Sequence, residues 1–339
     1  MSEFVVEVVR ISDVKPHPNA DALDVALIDG KQFQTIVKRG QYSPGDTAIY
    51  VPYDAMVPDD VADKWGVSSY LSKGRVKAIR LRGEMSYGFL TDVADGVSVA
   101  VGDDLAGMFG ITKYDPPPTF SSGDNERDHP QFYKYTSIEN IRRYPDMFVD
   151  GEPVVVTEKI HGTNSRVGLV IDYETGNEEF VCGSHNMRKK IGTNHIYETP
   201  LGMGCVKDLL TCVGSPAILF GEIYGWKVQD LAYGHTQREP IGYAAFDLSI
   251  NGGYVDHREF VSICEEFGVP MVPELYSGPF DMGNVLSLSS GRTQLGADHI
   301  REGVVVKPLS ERTDPRIGRV ILKSISDDYI TRNGGTESK

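Results

Sequence analysis

The run Val154-Val-Val-Thr-Glu-Lys-Ile-His-Gly-Thr-Asn164 carries one lysine at its apolar end and a glycine three residues later. Three valines and a threonine read as a buried strand. Lys159 then sits at the strand end beside His161, and Gly162 lets the backbone turn sharply. A lysine attacks at neutral pH only if burial or a neighbouring cation disfavours its ammonium form. Entry into an apolar strand meets the first condition, so Lys159 is a candidate nucleophile; taken alone, it also fits a surface lysine at a strand-turn junction. Three more apolar runs end or begin on charge: Ala217-Ile-Leu-Phe-Gly-Glu222, Glu302-Gly-Val-Val-Val-Lys307 and Arg319-Val-Ile-Leu-Lys323. Charges abutting apolar strands are costly unless they meet each other, a metal or a ligand, and four such runs together point to a site. Ile241-Gly-Tyr-Ala-Ala-Phe246-Asp247 adds a ring and a carboxylate. Phe246 can stack on a purine or pack in the core.

The elements that must hold these residues fall in two parts. At 339 residues the chain is long enough for two domains. Residues 3–112 alternate short β-rich runs (Phe4–Ile11, Ala22–Ile28, Gln34–Lys38, Thr47–Val51) with turn pieces such as Asp29-Gly30, which favours a small barrel or sandwich. His17-Pro-Asn-Ala-Asp-Ala-Leu23 resembles a segment of tRNA-binding OB domains, so the first domain, 1–112, reads as OB-like. Within it Lys73, Arg75 and Lys77 alternate along a predicted strand, and Arg80 and Arg82 continue the period. Such a row tracks a phosphate backbone or protects a solvated edge strand. Residues 113–131, with Pro116-Pro-Pro118 and a polar run, read as a linker. In the second domain, 132–339, Thr136 or Ser137 is a candidate cap of a short helix carrying Glu139 and Arg142. Arg166–Ile171 and Glu179–Gly183 suggest an antiparallel meander, and 196–210 and 257–266 are the best helices. Mixed elements in this order predict α+β architecture.

Composition narrows the functions. The formal net charge of −14 argues against a protein that simply coats nucleic acid, though not against an enzyme with a local basic groove. No run of about 18 apolar residues spans a bilayer and no signal-peptide pattern opens the chain, so a cytoplasmic or nuclear, non-secreted protein without a membrane partner is expected. Cys182, Cys205, Cys212 and Cys264 lack zinc-ligand spacing and read as reduced thiols. There is no P-loop, H-E-x-x-H or G-x-S-x-G motif.

Taken in order and spacing, Thr157–Asn164, Phe220-Gly-Glu222, Phe246-Asp247, Glu302–Pro308 and Arg319–Lys323 resemble the nucleotidyltransferase motifs of polynucleotide ligases. Lysine followed by Ile-His-Gly-Thr-Asn is similar to ATP-dependent RNA ligases of the phage RNA ligase 2 and trypanosome editing types, and Lys134–Asn140 extends the match upstream. An OB domain ahead of this core resembles the Naegleria-type group. The resemblance implies an N-terminal OB-like barrel and a C-terminal nucleotidyltransferase domain of ATP-grasp-like antiparallel sheets with helices. It implies that Lys159 takes AMP from ATP as lysyl-AMP and passes it to an RNA 5′-phosphate, which a 3′-OH then attacks. RNA with 3′-OH and 5′-phosphate ends, in a nicked duplex, would be the partner, and the chain a monomer.

By the same resemblance Glu158, His161, Asn164, Glu222, Phe246, Lys307 and Lys323 would hold the nucleotide, and Glu302, Glu222 and Asp247 a Mg²⁺ or Mn²⁺ ion. Lys73, Arg75, Lys77, Arg80 and Arg82 would meet nucleic acid. Two departures stand out. Ile325 occupies a position where the phage enzyme has a second lysine, leaving a cationic contact missing or supplied by Arg319; and either His185 or Arg188 replaces a family arginine. A capping-type guanylyltransferase or DNA ligase is disfavoured by His161 and Asn164, and a non-catalytic RNA-binding protein by the number of charged motif positions present.

Overall fold

The computed structural model describes residues 4–93, 98–114, 123–193, 195–239 and 241–332. The chain divides into two compact units. One comprises Met1–Pro118, Ile141–Asp146 and Ile330–Lys339, the other Thr119–Asn140 and Met147–Tyr329. Residues 115–122 of the expected linker lie outside the described residues.

In the first unit an antiparallel sheet runs in the order Gln34–Lys38, Leu23–Ile28, Glu7–Pro16, Thr47–Pro52, Gly88–Thr91. Its ends approach each other: the Tyr87 N–H donates to Gln34 O at 3.0 Å and the Ile36 N–H to Ser86 Oγ at 3.1 Å. This nearly closes an OB-type barrel. Alternation explains why the runs are apolar on both sides. Val9, Ile11, Ala26, Ile28, Ala48 and Tyr50 fill one cluster, while Val6, Val8, Ile49 and Val51 pack outward under the Asp59–Lys64 helix and its neighbours.

The predicted strand of alternating cations is not there. Lys73 and Arg82 have φ of 54° and 45°, left-handed values that end an extended run; Arg75 makes isolated bridges to Met56 and Ser72, and Ile79–Leu81 pairs in a short hairpin with Glu84–Ser86. Arg75 turns inward, 2.6 Å from Asp54 Oδ1 and stacked 3.9 Å over Tyr114, whereas Lys73, Arg80 and Arg82 are exposed and Lys77 half-buried.

The second unit holds two sheets. A five-stranded sheet is ordered Glu139–Asn140, Leu322–Ile325, Gly303–Pro308, Pro153–Lys159, Glu274–Pro279, and a six-stranded antiparallel sheet is centred on Thr163–Ile171 and Ala217–Gly225. Glu139–Asn140 is therefore a strand, parallel to Leu322–Ile325, and not the helix its capping residues suggested. The helices Gly204–Val213 and His257–Phe267 contribute Val206, Leu209, Leu210, Phe260 and Cys264 to the core of the six-stranded sheet. The predicted 196–210 helix is interrupted at Met203, whose ψ of 118° is extended between two glycines. The fold class is α+β. Among the described residues no helix is long and apolar enough to cross a membrane, and all four cysteines are free thiols.

Candidate active site

Val154, Val155 and Val156 are fully buried between Gly303–Pro308 and Glu274–Pro279 in the five-stranded sheet, which fixes the register of the strand that ends on Lys159. Lys159 lies opposite Gly303, Thr157 opposite Val305, and Val155 opposite Lys307; on the next strand Lys323 lies opposite Val305. Directly paired residues share a face. Lys159, Lys307 and Lys323 thus project from one side of the sheet. Gly303 permits this pairing, since a Cβ there would sit 2.2 Å from Ser324 O.

Glu302, one residue upstream of that glycine, sets its Oε1 2.6 Å from Lys159 Nζ. Burial pushes the Glu302 carboxyl up, but Lys159 and His161 outweigh this and hold it at about 2. Glu222 lies opposite Asn164 on the six-stranded sheet. Its carboxyl is pushed up to about 8, by burial first and by Glu302, against the opposing pull of Lys159.

A cavity of about 210 Å³ opens beside these groups. Thr157, Lys159, Asn164, Glu222, Phe246 and Lys307 are among its lining residues. Phe246 owes its place to a β-bulge: Phe220 pairs with Asp247 and Gly221 with Ala245, leaving Phe246 as the extra residue. Bulges re-aim side chains, and here Phe246 and Asp247 both reach the cavity, with Tyr135 edge-on to Phe246 at 4.9 Å. Glu158 accepts the Gln294 N–H at 2.8 Å through one oxygen, while its Oε1 and Asn164 Oδ1 are buried without a hydrogen-bond partner.

Asp247 is fully buried and met by two cations, Lys307 Nζ at 2.5 Å and Arg319 Nη1 at 2.8 Å, and by a hydrogen bond from the Tyr135 hydroxyl. Burial alone would raise its carboxyl; Lys307 and Arg319 hold it at about 2 instead. With both oxygens so engaged, Asp247 does not suit the metal-ligand role expected for it. Arg319 also grips Glu311 at 2.5 Å and stacks on Tyr254, so its guanidinium is already committed and does not make up for Ile325. Arg188 is bound to Glu126 at 2.9 Å and Glu179 at 3.0 Å, whereas His185 is half-buried, its imidazolium form disfavoured by burial and then by Arg166 and Lys134. Of the two, His185 is the residue left facing cationic neighbours.

Among the described residues no three His, Cys, Asp or Glu side chains form a metal-holding group by themselves. Glu222 and Glu302 are hard oxygen donors, and Glu302 adds to the cost of ionising Glu222, a pair that a Mg²⁺ or Mn²⁺ ion with further water or phosphate ligands would suit. His161 is not available as a ligand, since Asp230 and Tyr329 engage its two ring nitrogens. Asp230, Tyr329 and Tyr233 gave no sequence signal, and Tyr135 stood out only as part of the Lys134–Asn140 match. They act by hydrogen bonds across distances in the chain that no local spacing reports.

The RNA ligase family model matches residues 152–325, just over half of the chain and the span that holds Lys159, Glu222, Phe246, Glu302, Lys307 and Lys323. The chain belongs to the RNA ligase family. An OB-fold domain model matches residues 5–93 of this RNA ligase. Among solved structures, the RNA ligase of Naegleria gruberi with PPi superimposes with a TM-score of 0.80 at 22% identity, covering 97% of this chain and 98% of that one. A mutant of the Naegleria enzyme with ATP and Mn gives a TM-score of 0.80 at 22% identity over 97% and 98% of the two chains. Another with AMP and Mn gives 0.80 at 22% over 97% and 98%. At this identity these likenesses speak for the fold. No curated protein matches.

Proposed function

We propose that this RNA ligase is ATP-dependent and seals RNA 3′-OH and 5′-phosphate ends through a lysyl-AMP intermediate. The observation that carries the reading is Lys159 Nζ, held 2.6 Å from Glu302 at the edge of the cavity that Asn164, Glu222, Phe246 and Lys307 line. In the first step a Lys159 Nζ–phosphorus bond forms to the α-phosphate, the bond to the β-phosphate breaks, and pyrophosphate leaves with release of the amine protons. AMP then passes to the RNA 5′-phosphate, and the 3′-OH displaces it. Alignment and neutralisation of the equatorial oxygens carry such transfers. Lys307 and Lys323, on the face that Lys159 shares, are assigned to the phosphate; Lys307 is oriented by Asp247. Phe246 supplies the surface for the base, and Glu222 the contact to the ribose.

Base choice follows from the orphaned acceptors. Glu158 Oε1 and Asn164 Oδ1 call for a donor. Adenine offers an amine where guanine offers a carbonyl, and a buried acceptor facing a carbonyl is costly. Glu302 and Glu222 would hold the divalent metal, which when bound would neutralise phosphate charge. The Lys159 amine is a cation in its ion pair with Glu302 and becomes a nucleophile only on losing a proton. His185 is preferred to Arg188 at the position of the family arginine. For RNA, Lys73, Arg80 and Arg82 of the barrel unit remain the candidates, and a nicked duplex the expected form.

The test is incubation with α-labelled ATP, GTP or dATP and Mg²⁺ or Mn²⁺, followed by denaturation. Label from ATP that disappears in Lys159→Ala is expected. Label from GTP alone would favour a capping enzyme, and none from any nucleotide a non-catalytic binder.

A further inference from the structure

The turn that follows Lys159 is held at four points by residues outside every motif. Gln229 Nε2 donates to Gly162 O at 3.3 Å, and the Tyr233 hydroxyl accepts the His161 N–H at 2.7 Å. Asp230 Oδ1 lies 2.5 Å from His161 Nε2, and the Tyr329 hydroxyl 2.8 Å from Nδ1. A carboxylate only accepts, so Nε2 carries a proton toward Asp230, while the Tyr329 hydroxyl pairs with Nδ1. The imidazole is therefore held from both sides and is 8% exposed. Its Nδ1 is also 3.7 Å from Glu302 Oε2, and the intervening Ile160 packs with Tyr224, Tyr233 and Ala244. Displacement of His161 would move Lys159 through two peptide bonds and Glu302 through contact.

We infer that Asp230 and Tyr329 are positioning residues that clamp His161 and so set where the Lys159 amine meets the α-phosphorus. The inference rests on the reading of Lys159 as the nucleophile. Gln229, Asp230 and Tyr233 lie in one loop, and Tyr329 in the Asp327–Thr331 helix, so two separate elements converge on one turn. Attack on phosphorus is sensitive to placement: an error of about 1 Å costs on the order of 100-fold in rate. Joining a pre-adenylylated RNA end needs no attack by the lysine, which separates positioning of Lys159 from general damage.

Asp230→Ala and Tyr329→Phe are each expected to lower kcat for lysine adenylylation by about 10-fold or more, with KM for ATP within about 3-fold. Asp230→Asn, which retains an accepting oxygen, should recover part of the loss. Sealing of pre-adenylylated RNA should fall less than about 3-fold, and the melting temperature should stay within about 3 °C. Adenylylation at the parent rate in both variants would overturn the inference. So would parallel loss of both reactions with a lowered melting temperature, the mark of a structural role only. If the parent chain takes no label, the Lys159 reading fails and this one with it; label on the parent and equally on the variants sinks the clamp alone.

Discussion

Glu222 is a carboxyl that the folded chain makes costly to ionise. Its carboxyl ionises near 8 in the folded chain against 4.5 for an ordinary glutamate, burial being the main cause. Between those values the unfolded chain has given up a proton that the folded chain keeps. Stability contributed by this group therefore falls as pH rises from about 4.5 to about 8 and is level above that. Glu222→Gln should melt higher than the parent at pH 8 without divalent metal, with the gap closing toward pH 5; a gap independent of pH in thermal melts would refute this. Glu302 behaves oppositely, since its depressed carboxyl adds stability that is lost only as pH falls toward 2. Lys159, Glu222 and Glu302 were legible as site candidates because charge set against a valine or leucine run is locally anomalous. Asp230 and Tyr329 were not, because an ordinary side chain that bonds a partner 69 or 168 residues away leaves no trace in its neighbours. Asp247 looked like a metal ligand by type. Only its contacts with Lys307 and Arg319 disclose that its charge is already met.

At the scale of elements, the turn after the lysine strand tolerates no side chain at Gly162. A Cβ there would lie 2.2 Å from Ile223 O and 2.9 Å from Glu222 Cγ, and the first of these atoms is backbone that cannot swing aside. Gly162→Ala should cost about 1–3 kcal/mol in urea denaturation and reduce lysine adenylylation by on the order of 100-fold; unchanged rates would mean that the two strands part without consequence. The apolar strands were readable because each is a run of β-branched residues bounded by charge or glycine. The row of cations from Lys73 to Arg82 was misread because positive φ at Lys73 and Gly74 breaks the alternation at its start and the step from Lys77 to Arg80 is three residues, which changes the face. Phe246 and Asp247 show the reverse case, in which a bulge turns neighbouring residues toward one cavity that strict alternation would have kept apart.

At the scale of the molecule, the barrel unit is completed by pieces distant in sequence. The Gln32 N–H donates to Arg142 O at 2.8 Å, the Arg142 guanidinium lies 5.0 Å over the Tyr87 ring, and Ile330 packs against the cluster containing Ile11, Phe33 and Tyr50. A fragment of residues 1–118 should therefore lose hydrogen-exchange protection at the Gln32 amide and unfold at lower urea than the same unit in the full chain; protection equal to that of the full chain would show these pieces to be dispensable. Composition placed a linker at 113–131 but gave no sign that residues 141–146 and 330 group with the first unit, since neither stretch differs in pattern from its flanks. During synthesis on the ribosome, residues 4–114 emerge long before Ile330 does. All five strands of the barrel sheet are made by then, and the cluster of Ile11, Phe33 and Tyr50 gains Ile330 only once nearly the whole ligase core has followed.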